Sequence, residues 1–152
     1  IVLDWTKERN IAGKPVRERS MFAGMLAEMF RAIEVSRQYY LSVTWQVTHP
    51  EIYGKPWTPQ MIARFSAARS FAADTAELVT NRAMELMGSY GYAYESHVEK
   101  YMRDFKIVKM WLGGAQRDRL DIAQGLYGPF SWGGLEEWAE KEGVLHPKAV
   151  HA

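Results

Sequence analysis

Apolar residues return every three or four positions along three long stretches, so the chain reads as helical. In the first, from about Pro15 to Val47, Phe22, Leu26, Met29 and Ile33 fall at i, i+4, i+7 and i+11 and form one face. Lys14-Pro15 fits its start, because proline is tolerated in a first turn whose N–H has no helical partner. His49-Pro50 marks its end, since the residue before a proline is driven out of helical geometry. Glu51 to Trp57 is a connector containing Gly54 and Pro56. Thr58 and Pro59 then read as N-cap and first residue of a second helix. Its face is Met61, Phe65, Ala68, Ala72, Thr75, Val79, Ala83 and Leu86. The small residues Ala67, Ala68, Ala72, Ala73 and Ala76 let a neighbouring helix come close. Gly88 closes this helix, with a glycine-containing turn through Gly91.

A third helix follows. Ser96 and Glu99 have the spacing of a capping box, and Val98, Tyr101, Phe105, Val108 and Leu112 continue at 3/4 spacing. On that spacing Leu112 is a core position. Gly113-Gly114 breaks the helix, and a fourth runs from about Ala115 to Leu126, before Gly128-Pro129. In the tail, Ser131 to Ala152, Leu135 and Trp138 suit one surface helix. No strand pattern, internal repeat or low-complexity tract is visible. The expectation is an all-α, up-and-down helical bundle over residues 1–130, with a partly helical tail over 131–152.

Composition narrows the function classes. The 152 residues are enough for one domain with a core. Nineteen basic and 18 acidic side chains leave a net charge of +1, which makes no electrostatic case for nucleic acid. There is no cysteine, so disulfides, thiol nucleophiles and thiolate metal sites are excluded. No uninterrupted apolar stretch of about 18 residues suggests a membrane span. His49, His97, His146 and His151 have no metal-site spacing. Ile1-Val2-Leu3-Asp4-Trp5 does not resemble a signal peptide, and the simplest expectation is a chain that starts inside a larger gene product. Six Trp, eight Tyr and eight Met suit a core, and they also line apolar and flavin-type pockets.

Several ordered motifs resemble one family. Arg9-Asn10-Ile11-Ala12-Gly13-Lys14-Pro15 is similar to an Arg-x-x-Phe-Gly-Lys-Pro motif, and Leu26-Ala27-Glu28-Met29 to Leu-Ala-Asp-Met. Glu34, Arg37, Ala68 to Ala76, Gly88 to Tyr92 and Arg103-Asp104-x-Lys106-Ile107 follow in order. Together, from about Glu8 to Gln124, they resemble the C-terminal helical-bundle domain of acyl-CoA dehydrogenases. The resemblance implies that Ile1 to Glu8 is the end of an otherwise missing first bundle helix. It also implies an N-terminal helical domain and a middle β-domain outside this chain. The implied cofactor is FAD, met at a subunit boundary. The implied partners are an acyl-CoA substrate and an electron-transfer flavoprotein or similar acceptor, in a homo-oligomer (dimer or tetramer) of the cytoplasm or mitochondrial matrix.

Site residues carry over one at a time. Arg9 matches the arginine that reaches the FAD diphosphate; read alone, it is also an ordinary solvated arginine. Glu85 and Gly88 match a Gln-x-x-Gly-Gly motif, but the glutamine is a glutamate and the second glycine is Ser89. Trp111 stands where a tyrosine often lies beside the flavin, and core packing is its other reading. Gly114 and Gln116 match the Thr and Gln of Glu-Gly-Thr-x-Gln. Leu112 occupies the glutamate position of that motif, the usual catalytic base, and leucine accepts no proton, so no catalytic residue is assigned. Ala12 and Ser20 replace a phenylalanine and a frequent glutamine. Arg103-Asp104 reads as a structural pair.

Three readings stay open. The chain is the C-terminal part of an active FAD-dependent enzyme whose base comes from the missing helix. Alternatively it belongs to a non-catalytic homologue acting as a structural or partner subunit, or it is a bundle that serves only association. In all three the chain alone is inactive.

Overall fold

Seven α-helices account for most of residues 1–128, the span that the computed structural model describes. Helix α1 (Val2–Glu8) leads into a two-stranded antiparallel ladder, β1 (Asn10–Ile11) with β2 (Lys14–Pro15). A 3-10 turn, Val16–Glu18, joins it to helix α2 (Ser20–Thr48). Short α3 (Pro50–Tyr53) and an extended Thr58 precede α4 (Pro59–Met87). Then come α5 (Ser89–Tyr92), a 3-10 turn at Tyr94–Ser96, α6 (Val98–Met110), a 3-10 turn at Trp111–Gly113 and α7 (Gly114–Tyr127). The all-α bundle is as expected, and the tail helix expected after Ser131 lies outside the described residues.

Four local expectations are corrected. First, α2 begins at Ser20 rather than Pro15, because Pro15 pairs with Asn10 in a hairpin that the sequence did not reveal. Ala12 (φ 47°) and Gly13 (φ 77°) form its turn, and positive φ at both centres is what a tight type I′ hairpin needs. Second, the capping box does not form. Ser96 Oγ donates to the carbonyls of Gly91 and Ala93 and accepts from the Val98 N–H at 3.3 Å. The left-handed His97 becomes the N-cap, and Glu99 instead accepts from Arg103. Third, α6 is rotated from its expected face. Val98 is buried and Phe105 half-buried, but Tyr101 and Val108 are more than half exposed. In this orientation Lys109 faces α4 and pairs with Asp74 and Glu77. Fourth, Arg103 and Asp104 do not pair; each takes a partner one helical turn away, Glu99 and Lys100 respectively.

The expected faces of α2 and α4 hold in part. Met29, Met61, Ala68, Ala83 and Leu86 are buried, whereas Phe65 is 40% exposed and Ile33 37%. The core lies toward the C-terminal end of α4, where Val16, Met29, Ala83, Leu86, Met87 and Val98 meet. At the other end α7 crosses α4 very closely. A Cβ added to Gly125 would lie 2.2 Å from Ala63 Cβ and 2.9 Å from the Pro59 carbonyl.

That contact requires glycine. Gly125→Leu should destabilise the chain by about 2–3 kcal/mol, because an overpacked site must push the helices apart. Denaturant unfolding measures it; an unchanged midpoint would mean that α7 does not sit at this depth.

Candidate functional site

The candidate residues fall into two groups at different levels of α4. The first group surrounds the hairpin. Arg9 is the C-cap of α1, and its N–H donates to the Trp5 carbonyl at 2.8 Å. Its own carbonyl accepts from the Val16 N–H at 2.8 Å. Val16 is fully buried, so the core anchors the hairpin from below. The exposed Arg9 side chain has no hydrogen-bond or ionic partner among the described residues. It opens, with Trp5, Glu8, Met87, Ser89 and Tyr90, on a shallow hollow of about 510 Å³. Trp5 and Tyr90 stack across this end at 6.4 Å.

Gly88 caps α4 beside that hollow at φ 59°, and a side chain there would meet nothing within 4 Å. Glu85, one turn earlier, accepts from Arg82 at 2.6 Å. Arg82 also donates to Glu28 of α2 at 2.9 Å, so both carboxylates share one guanidinium. Arg82 was not singled out from the sequence, although its i, i+3 spacing to Glu85 is a readable signal. Arg9 and the Gly88-Ser89 turn, far apart in sequence, thus come to one end of the bundle.

The second group lies at the junction of α6 and α7. Trp111 has extended backbone (φ −66°, ψ 145°), which ends α6, and its side chain is 65% exposed. Leu112 follows in the 3-10 turn, off the spacing that made it a core position; its side chain lies outside the described residues. Gly114 starts α7, buried, at φ 54°. A Cβ there would sit 2.2 Å from the Lys109 carbonyl, so packing alone demands glycine. Its carbonyl accepts from Arg69 of α4 at 3.2 Å. Gln116 is exposed, and its Oε1 accepts from Arg119 at 3.3 Å.

Charged ties fix this junction. Arg69 clasps the buried Asp118 at 2.6 Å, and Ser66 donates to Asp121 at 2.9 Å. Hydrogen bonds from Lys109, then Lys106, hold the Glu77 carboxyl below its ordinary value of 4.5. The same bond to Glu77, with one to Asp74, raises Lys109. Among the described residues no cluster of His, Cys, Asp or Glu could hold a metal, and no helix is long and apolar enough to cross a membrane.

Known proteins share this arrangement of sequence and fold. The sequence profile of the acyl-CoA dehydrogenase C-terminal domain matches residues 1–127. The chain belongs to the acyl-CoA dehydrogenase family. It is 31% identical over 124 residues to the probable acyl-CoA dehydrogenase YngJ of Bacillus subtilis (strain 168), covering 82% of this chain. A crystal structure from Mycobacterium smegmatis, assigned to the acyl-CoA dehydrogenases, superposes with a TM-score of 0.73 at 29% identity over 85% of the chain. A chain from a structure of the electron transferring flavoprotein of Acidaminococcus fermentans gives 0.69 at 27% identity over 84%. The chain spans only 30% of the Bacillus relative and 32% of each solved chain.

Within the family frame, Gly114 and Gly88 separate packing from openness. Both combine positive φ with ψ of −140° and −148°, a region close to glycine-only that costs a side chain about 1–3 kcal/mol. Gly114→Ala should cost about 1–3 kcal/mol more than Gly88→Ala, because only there does the new methyl strike backbone. Equal losses in thermal unfolding would contradict the placement of Gly114 under Lys109.

Proposed function

We propose that this chain is the cofactor-facing and oligomer-forming domain of an FAD-dependent acyl-CoA dehydrogenase, inactive by itself. The observation that carries this reading is Arg9, a cation without a partner among the described residues, held on a hollow beside the open Gly88 turn. Lys14, Arg17 and Arg19 add three more cations within the same segment, none paired to a carboxylate among the described residues. A guanidinium pairs well with phosphate oxygens, and a glycine turn with nothing above it lets a ligand reach backbone. These residues fit a diphosphate. Glu85 is already neutralised by Arg82, which softens the repulsion that a carboxylate beside phosphate implies.

The second group fits FAD less fully. Trp111 offers an exposed planar face and Gln116 an exposed amide, whereas Gly114 has no side chain and is buried. Arg69 and Gly88 stand about 28 Å apart along α4, at about 1.5 Å rise per residue. The two groups would therefore meet different parts of bound cofactor, consistent with a subunit boundary. FAD, when bound, accepts the hydride from the acyl-CoA. This chain's residues bind and orient; the proton acceptor is not at Leu112, and we place it outside this chain. The partners are then an acyl-CoA and an electron-transfer flavoprotein or similar acceptor, in the cytoplasm or the mitochondrial matrix.

Two findings favour a second reading, a non-catalytic homologue acting as a structural or partner subunit. Leu112 stands in place of the usual base, and Glu85 in place of glutamine is committed to Arg82. The upstream sequence separates the readings, since a carboxylate facing the substrate belongs only to the active enzyme.

Arg9 has a direct test. The purified chain should be colourless and give no turnover with acyl-CoA and an electron acceptor, yet bind pyrophosphate or FAD weakly. Calorimetry should show Arg9→Ala weakening either by about tenfold, the scale of a lost charge-assisted bond. Bound flavin with turnover would overturn the inactivity, and equal affinity in the variant would overturn the role of Arg9.

The outer side of α2 supports association. Ala23, Ala27 and Phe30 near its start and Leu41 and Trp45 near its end are exposed along it, with the Glu34–Arg37 pair between them, opposite the side that buries Met29, Ser36 and Val43. Two exposed apolar patches on one side of a long helix suit coverage in the complete assembly. Light scattering should give a dimer or larger, and Trp45→Glu should shift it toward monomer. A clean wild-type monomer would count against this role.

A further inference from the structure

Arg19 is the cation of the hairpin segment that the sequence comparison leaves without a role. Its backbone is fixed at the start of α2, with its N–H bonded to the Val16 carbonyl at 3.1 Å and its carbonyl accepting from Ala23 at 2.9 Å. From that fixed base the half-buried side chain folds back onto the hairpin. Its Nη2 donates to the Ile11 carbonyl and, at 3.2 Å, to the Ala12 carbonyl. Its Nε is buried with no acceptor, and no carboxylate pairs with it among the described residues. The guanidinium is thus held at the turn by backbone carbonyls and not by a carboxylate of the described residues.

The turn needs such a hold. Ala12 is in the left-handed region at φ 47°, which a residue with a Cβ adopts at a cost. A ladder of two residues per strand is too short to enforce it. A single guanidinium nitrogen, Nη2, reaching two successive carbonyls does so, and a lysine ammonium, one bond nearer its own backbone, falls short of them. The consequence reaches Arg9, because the hairpin closes through the Val16 N–H to the Arg9 carbonyl. Loosening the turn frees the C-cap backbone from which the Arg9 side chain reaches the hollow.

We propose that Arg19 is a positioning residue for the anion contact of Arg9, acting by clamping the Ala12-Gly13 turn. The proposal rests on the reading of Arg9 as a diphosphate contact, and two separate readouts keep the two ideas apart. The 152-residue chain carrying Arg19→Lys keeps its net charge and loses the reach of Nη2 to the two turn carbonyls. In that variant the Val16 amide should exchange about tenfold or more faster, as a local opening becomes cheaper, while amides in the middle of α2 and α4 stay as protected as before. Pyrophosphate should bind about tenfold more weakly, the scale of a lost charge-assisted bond. Adding Ala12→Gly, which removes the left-handed cost, should restore much of both.

Unchanged Val16 exchange in Arg19→Lys would overturn the clamp. Faster exchange with undiminished pyrophosphate affinity would overturn its link to Arg9. If the wild-type chain binds no pyrophosphate, the Arg9 reading fails and the positioning role falls with it, whereas a slowed Val16 amide in wild type relative to Arg19→Lys would still establish the clamp on the turn.

Discussion

Every ionic tie between long helices in the described chain has one partner on α4. Glu28 of α2 meets Arg82, Lys106 and Lys109 of α6 meet Asp74 and Glu77, and Asp118 of α7 meets Arg69. The apolar contacts follow the same plan, with Met29 and Val98 packing around Ala83 and Leu86. A helix gripped from both sides needs small residues and paired charges together, and α4 supplies both. Its alanines let α7 settle where Gly125 touches Ala63. The exposed pairs among these ties add little stability, so their main effect is on rotation. The buried Asp118 is different: its carboxylate is taken out of water, and Arg69 supplies the counter-charge from the helix surface.

Fixing α4 also fixes where chemistry can sit. Arg69 holds the Gly114 carbonyl, so the α6–α7 junction is tied to the first half of the helix. The core of Val16, Leu86 and Met87 ties the hairpin to its last turn. The two candidate groups are held apart by a rigid rod, not by loops. A ligand that needs both must bridge that length or meet each in a different copy, which connects the cofactor reading with the exposed apolar side of α2.

Local punctuation explains what could be read from the sequence. Thr58-Pro59 and Gly88 bound α4 correctly, and Gly113-Gly114 with Gly128-Pro129 bracket α7, because proline and glycine act through their own backbone. Errors arose where a distant group outbid the local signal. Pro15 suits a helix start, but the hairpin claimed it. Ser96 has the spacing of a cap, but the Gly91 and Ala93 carbonyls take its hydroxyl. Tyr101 and Val108 share the apolar period, yet both are exposed, while Lys109 of the same helix meets an acidic pair on α4. Site residues were legible by type and not by company. Glu85 is visible in the sequence, and its i, i+3 spacing to Arg82 is the signal of its neutralisation; Arg19 gives no sign, because its partners are backbone carbonyls in another element.

Leucine at position 112 carries less weight than its identity suggests. The residues around it are set by geometry: Trp111 ends α6, Gly113 and Gly114 both take positive φ, and the Lys109 carbonyl fills the space above Gly114. The turn is set by its two glycines and the carbonyl packed over the second. The identity of residue 112 therefore bears on proton transfer and not on whether the fold serves a flavin. That question belongs to the other end of α4, where Arg9, without a partner among the described residues, and the open Gly88 turn have no comparable packing reason to stand together.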